Sequence, residues 1–215
     1  TLCGVDEAGR GCVIGPLVMC GALGEGDIES HLKANGAKDS KLLTPKQRET
    51  VFEFLEKTVK YKIISIPPSE IDLAVGGSLN NLNWLEAKHC VEILNDLKPD
   101  TAIIDCPSPN CRAYLSYLKE RLANKKIKLH VEHKADLNHV IVGAASILAK
   151  VTRDREIEKI KEKVGVDFGS GYMSDPKTKK FLQNYWNKYP EIFRHSWASF
   201  KDVEKLENQK SLGEF

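Results

Sequence analysis

The chain has 215 residues, 41% of them hydrophobic and 29% charged, with a net charge of +2 and a pI of about 8.1. That length suits one domain of ordinary size with a small appendage and a core that needs no covalent staples, and the composition excludes global disorder. No stretch approaches the ~18 consecutive apolar residues of a membrane span, and so small a net charge does not announce a nucleic-acid binder, so any basic surface must be local.

In chain order, residues 2 to 5 and 12 to 20 predict two strands around a glycine-rich connection, a hairpin or meander, and "GEGD" at 24 to 27 marks the next turn. Thr44-Pro45-Lys46-Gln47 carries a capping threonine, a proline at the first helical position and a glutamine at the third, which predicts a helix over 45–58. "YKIISI" (61 to 66) reads as a strand stopped by Pro67-Pro68. Leu82, Leu85, Cys90, Ile93, Leu94 and Leu97 form a helical stripe that ends near Pro99, and "TAIID" (101 to 105) has the compactness of a buried strand. A helix over 110–123, a strand over 127–132, and a long helix over 138–163, apolar and then charged, come next. Two further helices are expected over 176–188 and 198–208. Early strands followed by alternating helices and strands imply an α/β layer structure with a mixed sheet and a helical C-terminal part. The six cysteines (3, 12, 20, 90, 106 and 111) sit mostly in apolar runs, with no CxxC pair and no secretory leader, so buried free thiols in a reducing cytoplasm are expected.

The chemistry candidates begin with Asp6 and Glu7. Successive strand side chains point to opposite faces, so these carboxylates converge only if the strand bends or ends there, which Gly9 and Gly11 would ease. In the plainer reading one acid is a solvated strand end and the other pairs with Arg10. Gly9-Arg10-Gly11 lacks the Walker pattern and runs on into strand-like sequence, which disfavours nucleotide-cofactor binding. Asp105 closes a buried strand and is followed by Cys106-Pro107-Ser108-Pro109, at the sheet edge where α/β sites collect, although a turn-forming aspartate would look the same. Asp136 precedes the long helix and would serve equally as its cap. Together, four acids at strand ends and helix starts are a common way to build an oxygen-ligand cage for Mg²⁺ or Mn²⁺, because without a cation they would repel strongly. His130, His133 and His139 are a weaker rival that suggests zinc, since no cysteine or further acid completes a zinc spacing. Lys41, in a loop before a capped helix, is placed to meet a phosphate, and Lys150 and Arg153 lie along the long helix; each alone reads as a solvated charge. Tyr172 stands between Gly171 and the Asp175-Pro176 helix start, where its ring is either presented to a sugar or base or packed in the core.

These residues sit in six stretches, "GVDEAGRGCVIGPLV", "KDSKLLT", "AIIDCPSP", "EHKAD", "AASILAKVTRDREI" and "FGSGYMSDP". In that order and at those separations, over nearly the whole chain, the sequence resembles the type 2 ribonucleases H, the ribonuclease HII family, of the archaeal kind. The resemblance implies a ribonuclease H-like mixed sheet flanked by helices over 1–175, a helical C-terminal region over 176–208 and a tail over 209–215. It also implies an endonuclease that cuts the RNA strand of RNA·DNA hybrids and nicks 5′ of single ribonucleotides in duplex DNA, leaving 3′-hydroxyl and 5′-phosphate ends. By matching position, Asp6, Glu7, Asp105 and Asp136 would hold two Mg²⁺ or Mn²⁺ ions, which two-metal chemistry sets roughly 3.5–4 Å apart. Gly9, Arg10 and Gly11 would read the ribose 2′-hydroxyl through their backbone, Tyr172 would sense the sugar on the 3′ side of the cut, and Lys41 would contact phosphate. Leu42 stands where a second lysine is frequent in the family, and Cys12 where proline is common.

The last seven residues, "QKSLGEF", place Gln209, Leu212 and Phe215 at the spacing of a sliding-clamp-binding peptide and resemble the tails of archaeal relatives; a frayed polar terminus is the alternative. The family expectation is a cytoplasmic monomer with no membrane partner, involved in DNA replication and repair. A non-catalytic, clamp-associated hybrid-binding protein is the competing reading, and a nuclease of the same fold acting on DNA alone is a third. The intact acid set argues against the second reading, and Gly-Arg-Gly with Tyr172 against the third.

Overall fold

The structure, a computed structural model, describes residues 1–36, 43–77 and 81–212. Among them, five short apolar runs become strands: β1 (Leu2–Ala8), β2 (Leu17–Gly24), β3 (Lys60–Ile66), β4 (Thr101–Asp105) and β5 (Lys128–Glu132). They hydrogen-bond in the order β3-β2-β1-β4-β5. The sheet is mixed, because β1 runs antiparallel to β2 but parallel to β4, and β4 parallel to β5. The helices are α1 (Ile28–Ala34), α2 (Pro45–Thr58), α3 (Pro68–Gly76), α4 (Leu82–Leu97), α5 (Cys111–Arg121), α6 (Ala135–Asn138), α7 (Val140–Val164), α8 (Pro176–Tyr185) and α9 (Ala198–Leu212). No helix among the described residues is long and apolar enough to cross a membrane.

Local chemistry explains most boundaries. At α2 the expected capping box is formed: Thr44 Oγ1 accepts from the Gln47 N–H at 3.3 Å, and Gln47 Oε1 accepts from the Thr44 N–H at 2.8 Å. Such a cap is worth about 1 kcal/mol. Pro67-Pro68 ends β3 as expected but also starts α3, with a proline in its first turn, where a missing N–H costs nothing. Residues 12 to 16 do not join the expected second strand. Their N–H groups bond elsewhere, Val13 and Ile14 to the Gly171 carbonyl at 2.9 and 3.3 Å and Gly15 to the Ile192 carbonyl at 2.9 Å. Gly15 has φ +84°, outside strand geometry, so pairing begins only at Leu17. All six cysteines are free, five of them buried, as the sequence predicts.

The chain divides into two compact units. The first, residues 1–8, 18–65 and 81–152, holds the sheet with a helix on each face. Two glycines set how closely those helices approach. A Cβ on Gly4 of β1 would lie 2.4 Å from the Ile141 carbonyl oxygen of α7, and one on Gly21 of β2 would lie 2.3 Å from the Ile93 side chain of α4. Gly4 therefore faces α7 and Gly21 faces α4. Between α7 and the sheet, Ala8, Val18, Cys20, Ala22 and Ile103 pack on Ile141, Val142, Ala144, Ala145, Leu148 and Ala149; the small side chains of α7 let it lie close.

The second unit, residues 9–17, 66–80 and 153–215, has its own core of Val13, Ile14, Ile157, Phe168, Phe181, Phe193 and Phe200. Its rings pack tilted or stacked, as Phe168 on Phe181 at 5.2 Å and Phe181 on Tyr185 at 4.8 Å between centroids. Asp72 of α3 ties the unit together: its carboxylate accepts from the His195 N–H at 2.9 Å, the Ser196 N–H at 2.8 Å and the Ser196 hydroxyl.

A methyl group at Gly4 meets rigid helix backbone, not a side chain that can swing away. The Gly4→Ala variant is expected to lose about 1–3 kcal/mol, read as a lower urea midpoint with an unchanged slope.

Candidate active site

Parallel pairing sets the acids in place. The β1/β4 register ends with Val5 opposite Ile104, so the next residues along the two strands, Asp6 and Asp105, follow side by side at the carboxyl ends. Asp105 also pairs with Glu132 on β5. Beyond β5 the chain turns through Lys134 in a left-handed conformation (φ 58°), and the Ala135 N–H donates to Asp105 Oδ1 at 3.2 Å. That contact brings the first turn of α6, with Asp136, to the strand ends. Asp6 is 5% exposed, and its Oδ1 accepts from the Glu7 N–H at 2.8 Å.

Electrostatics show which acids meet. Burial, with smaller pushes from the Asp105 and Asp136 charges, raises the Asp6 carboxyl to about 7 against hydrogen bonds from Ser146 and the Glu7 backbone that pull it down. Asp105 and Asp136 thus lie near enough for their charges to be felt at Asp6. Glu7 does not turn to join them on the same face, because β1 runs straight through it, with Asp6 opposite Cys20 and Glu7 opposite Met19. Its charge is felt by Cys90 of α4 and Tyr114 of α5, on the other face. Three hard carboxylates, one of them pressed toward its protonated form by burial and, less strongly, by the charges of the other two, are a donor set that suits a divalent cation of the Mg²⁺ or Mn²⁺ kind.

The glycine loop belongs to the second unit. Gly9 needs its glycine for the fold, since it has φ +84° and a Cβ there would sit 2.8 Å from the Pro16 carbonyl oxygen. Gly11 is different: it is exposed, and a Cβ would meet only the Tyr172 ring edge, at 3.8 Å. Arg194 shapes the loop. This fully buried side chain donates from Nη2 to the Gly9 carbonyl at 2.7 Å, from Nη1 to the Arg10 carbonyl at 2.8 Å and from Nε to the Gly15 carbonyl at 3.1 Å. Burial, helped by the Arg153 charge, lowers it to about 10, so it keeps its proton at neutral pH. Tyr172 is held by its loop, in which Ser170 N–H donates to Asp175 at 2.8 Å and Gly171 N–H to Thr178 at 3.0 Å. Burial pushes its phenol up to about 12, keeping it neutral.

Arg153 corrects an expectation. It is 2% exposed, and its guanidinium serves the interior, donating to Cys12 Sγ at 2.9 Å and to the Ser170 carbonyl at 2.5 Å, with Cζ 4.9 Å from the Tyr172 ring centre. A solvated, phosphate-facing charge does not describe it, because Nη2 is engaged by Cys12 and Ser170 and Nη1 by Asp154 at 3.4 Å. The unusual Cys12 is therefore a hydrogen-bond acceptor for this arginine. Lys150 is half-buried on α7. Lys41, Leu42 and Phe215 lie outside the described residues; Gln209 is exposed on α9, and Leu212 ends that helix.

The rival histidine set does not assemble. His130 is exposed on β5, and His139 pairs with Glu132 at 3.2 Å. His133 instead meets Cys106 and Cys111, which among the described residues form with it the one group of three such side chains whose ligand atoms all lie within 4.8 Å of one another. Sequence reasoning missed that trio, Arg194 and Asp72, for one reason. Arg194 and Asp72 bond to partners 185 and 123 residues away, the imidazole reaches its cysteines only because β4 and β5 are paired, and no local pattern marks an arginine in "IFRHSW" as buried.

Asp6 keeps its proton to about 7 when folded against an ordinary 3.8. Between those values the folded state binds the extra proton, so this group's contribution to stability is full below 3.8 and falls as pH rises through 7. In chelator, the urea midpoint of the wild type is expected to decline from pH 5 to 7.5 relative to that of Asp6→Asn, and excess Mn²⁺ should restore more stability at pH 7.5 than at pH 5. A flat difference between the two proteins would contradict the assignment.

Residues 3–200 match the family model for ribonuclease HII. The ribonuclease HII of Pyrococcus abyssi is 45% identical over 94% of this chain and 90% of its own length. The crystal structure of the Pyrococcus horikoshii ribonuclease H2 superposes with a TM-score of 0.86 at 43% identity, covering 95% of this chain and 97% of that one. The Archaeoglobus fulgidus ribonuclease HII, solved in complex with PCNA, gives 0.83 at 37% identity over 94% of this chain and 96% of that one. With similarity along almost its whole length, the chain belongs to the ribonuclease HII family and is a metal-dependent endonuclease of the ribonuclease H class.

Proposed function

We propose that the chain hydrolyses the RNA strand of RNA·DNA hybrids and nicks 5′ of single ribonucleotides in duplex DNA, leaving 3′-hydroxyl and 5′-phosphate ends. The observation that carries this reading is the placement of Asp6 beside Asp105 at the carboxyl ends of β1 and β4, with the Asp6 carboxyl raised by burial and, to a smaller extent, by the Asp105 and Asp136 charges. Asp6, Asp105 and Asp136 would hold two Mg²⁺ or Mn²⁺ ions, with Glu7, which leaves β1 on the other face, reaching them around the end of the strand. Bound there, the ions would activate water and stabilise charge on the leaving 3′ oxygen in an in-line displacement.

The residues of the chain itself supply position and selection. The Ala135 N–H and the Lys134 turn hold Asp105 and Asp136 to one another, so the donor geometry is set before substrate arrives. The backbone of Gly9, Arg10 and Gly11 would recognise the 2′-hydroxyl, the one group that separates RNA from DNA at a given residue. Arg194 clamps that backbone. Gly11 supports the reading, since nothing in the second unit demands a glycine there; a bare backbone is useful if a sugar must approach it. Tyr172 would offer its ring to the nucleotide on the 3′ side, with Arg153 as a positioning residue, and Lys41 and Lys150 would contact phosphate.

The Archaeoglobus fulgidus relative was solved with PCNA, which supports a sliding clamp as partner of Gln209, Leu212 and Phe215. A monomer acting in the cytoplasm on replicating and repaired DNA fits this reading.

Duplex DNA with a single ribonucleotide, an RNA·DNA hybrid and an all-DNA duplex, each with Mg²⁺, Mn²⁺ or chelator, test the activity. The wild type should cut only the ribonucleotide-bearing strands, and Asp105→Asn should lose about 1,000-fold or more, the several kcal/mol supplied by metal-stabilised charge. Gly11→Ala should keep its stability yet lose about tenfold on the single-ribonucleotide duplex. Cutting of all-DNA duplex by the wild type, or full activity in Asp105→Asn, would sink the reading. Removing residues 209–215 should abolish clamp binding in a pull-down while short duplexes are still cleaved at the wild-type rate.

A further inference from the structure

A second donor group of different chemistry lies beside the acids. Cys106 follows β4 directly, Cys111 opens α5 and His133 follows β5. Their two Sγ atoms and one imidazole nitrogen all lie within 4.8 Å of one another, with Cys111 Sγ 3.3 Å from His133 Nε2. Two thiolates at 2.3 Å and an imidazole nitrogen at 2.0–2.1 Å from a tetrahedral Zn²⁺ would stand about 3.5–3.8 Å apart, so little movement separates the present arrangement from a ligating one.

The histidine is already oriented for the task. His133 Nδ1 lies 3.1 Å from the Cys106 carbonyl oxygen, and a carbonyl only accepts, so Nδ1 carries the proton and the lone pair of the neutral ring is on Nε2, facing the Cys111 sulfur. A metal-ligating histidine characteristically donates its other N–H in this way. The loop is also shaped in advance. Cys106 N–H donates to the Glu132 carbonyl at 2.9 Å, Ser108 Oγ accepts from the Asn110 N–H at 3.2 Å, and Asn110 Oδ1 accepts from the Ala113 N–H at 3.0 Å. Both thiols point at one acceptor, the Ser108 carbonyl, at 3.3 and 3.9 Å. Pro107 and Pro109 stiffen the same turn.

We propose that Cys106, Cys111 and His133 form a binding site for a thiophilic cation, with Zn²⁺ as the expected occupant and water in the fourth position on the exposed side of His133. Each cysteine binds as a thiolate and gives its proton to solvent. Sulfur and imidazole donors disfavour Mg²⁺ and Mn²⁺, which seek oxygen, so the two neighbouring donor sets sort ions by hardness. Cys106 is bonded to Asp105, and His133 precedes Asp136 by three residues; occupancy would brace two of the segments that carry acids.

Co²⁺ titration of the reduced chain, with excess Mg²⁺ to occupy the carboxylates, tests this without reference to activity. One Co²⁺ per chain should give an intense sulfur-to-cobalt charge-transfer band that Zn²⁺ bleaches. Cys111→Ala should lose the band, and His133→Ala should weaken Zn²⁺ by more than the roughly 10- to 100-fold that loss of an outer-shell partner costs. Unchanged far- and near-ultraviolet circular dichroism confirms that both variants fold. No band in the wild type, an undiminished band in Cys111→Ala, or conversion of Cys106 and Cys111 to a disulfide with no uptake by the reduced chain would each overturn the proposal.

Discussion

The parallel pairing of β1 with β4 is the constraint on which the acid site depends. Neighbouring parallel strands end at the same edge, so a register with Val5 opposite Ile104 brings Asp6 and Asp105 forward together. A slip of one residue would turn one of them to the opposite face. The register is in turn held by close packing, because Gly4 sits against the backbone of α7 and Gly21 beneath α4. Neither helix could lie so near with a larger residue at those points. The same α7 that packs on Gly4 carries Ser146, whose hydrogen bond to Asp6 partly offsets the cost of burying that carboxyl.

The second unit is organised around two buried arginines instead of a sheet. Burying a guanidinium is costly unless its donors are used, and Arg194 uses three of them on the carbonyls of Gly9, Arg10 and Gly15. Arg153 joins Cys12 to Ser170 and lies over Tyr172. A loop whose carbonyls are held by a rigid, permanently charged fork keeps one shape. Such fixed shape is what a backbone needs if it is to recognise a single hydroxyl. The division of labour follows the chemistry: carboxylates where cations are wanted, arginines where backbone carbonyls must be held.

Several elements were legible because their signals are local. The α2 cap needs only Thr44, Pro45 and Gln47, and α4, β4 and β5 follow from apolar spacing bounded by Pro99, Cys106-Pro107 and similar stops. Others were not. Pro67-Pro68 stops a strand in any reading, yet whether a helix begins there depends on what Ile71 and Asp72 find to pack against and bond to. Residues 12 to 16 have strand composition, but Gly15 and the competing carbonyls of Gly171 and Ile192 take their N–H groups out of the sheet. Glu7 shows the same limit at the site. Adjacent acids look paired in a sequence, whereas a strand that continues straight sends them to opposite faces.

The sequence by itself determined the α/β class, the positions of the acids at strand and helix ends, and the resemblance of "GVDEAGRGCVIGPLV" and its companion stretches to ribonuclease HII, since each is carried by residues close together in the chain. Only the tertiary structure decided that Asp6 lies beside Asp105 and feels the Asp136 charge while Glu7 leaves β1 on the side of α4 and α5, that Arg153 is buried, that Arg194 holds the glycine loop, and that His133 joins two cysteines instead of two histidines. Those outcomes turn on which distant groups share a low-dielectric interior. Burial and hydrogen-bond satisfaction are settled there among partners up to 185 residues apart, a separation over which no local spacing carries information.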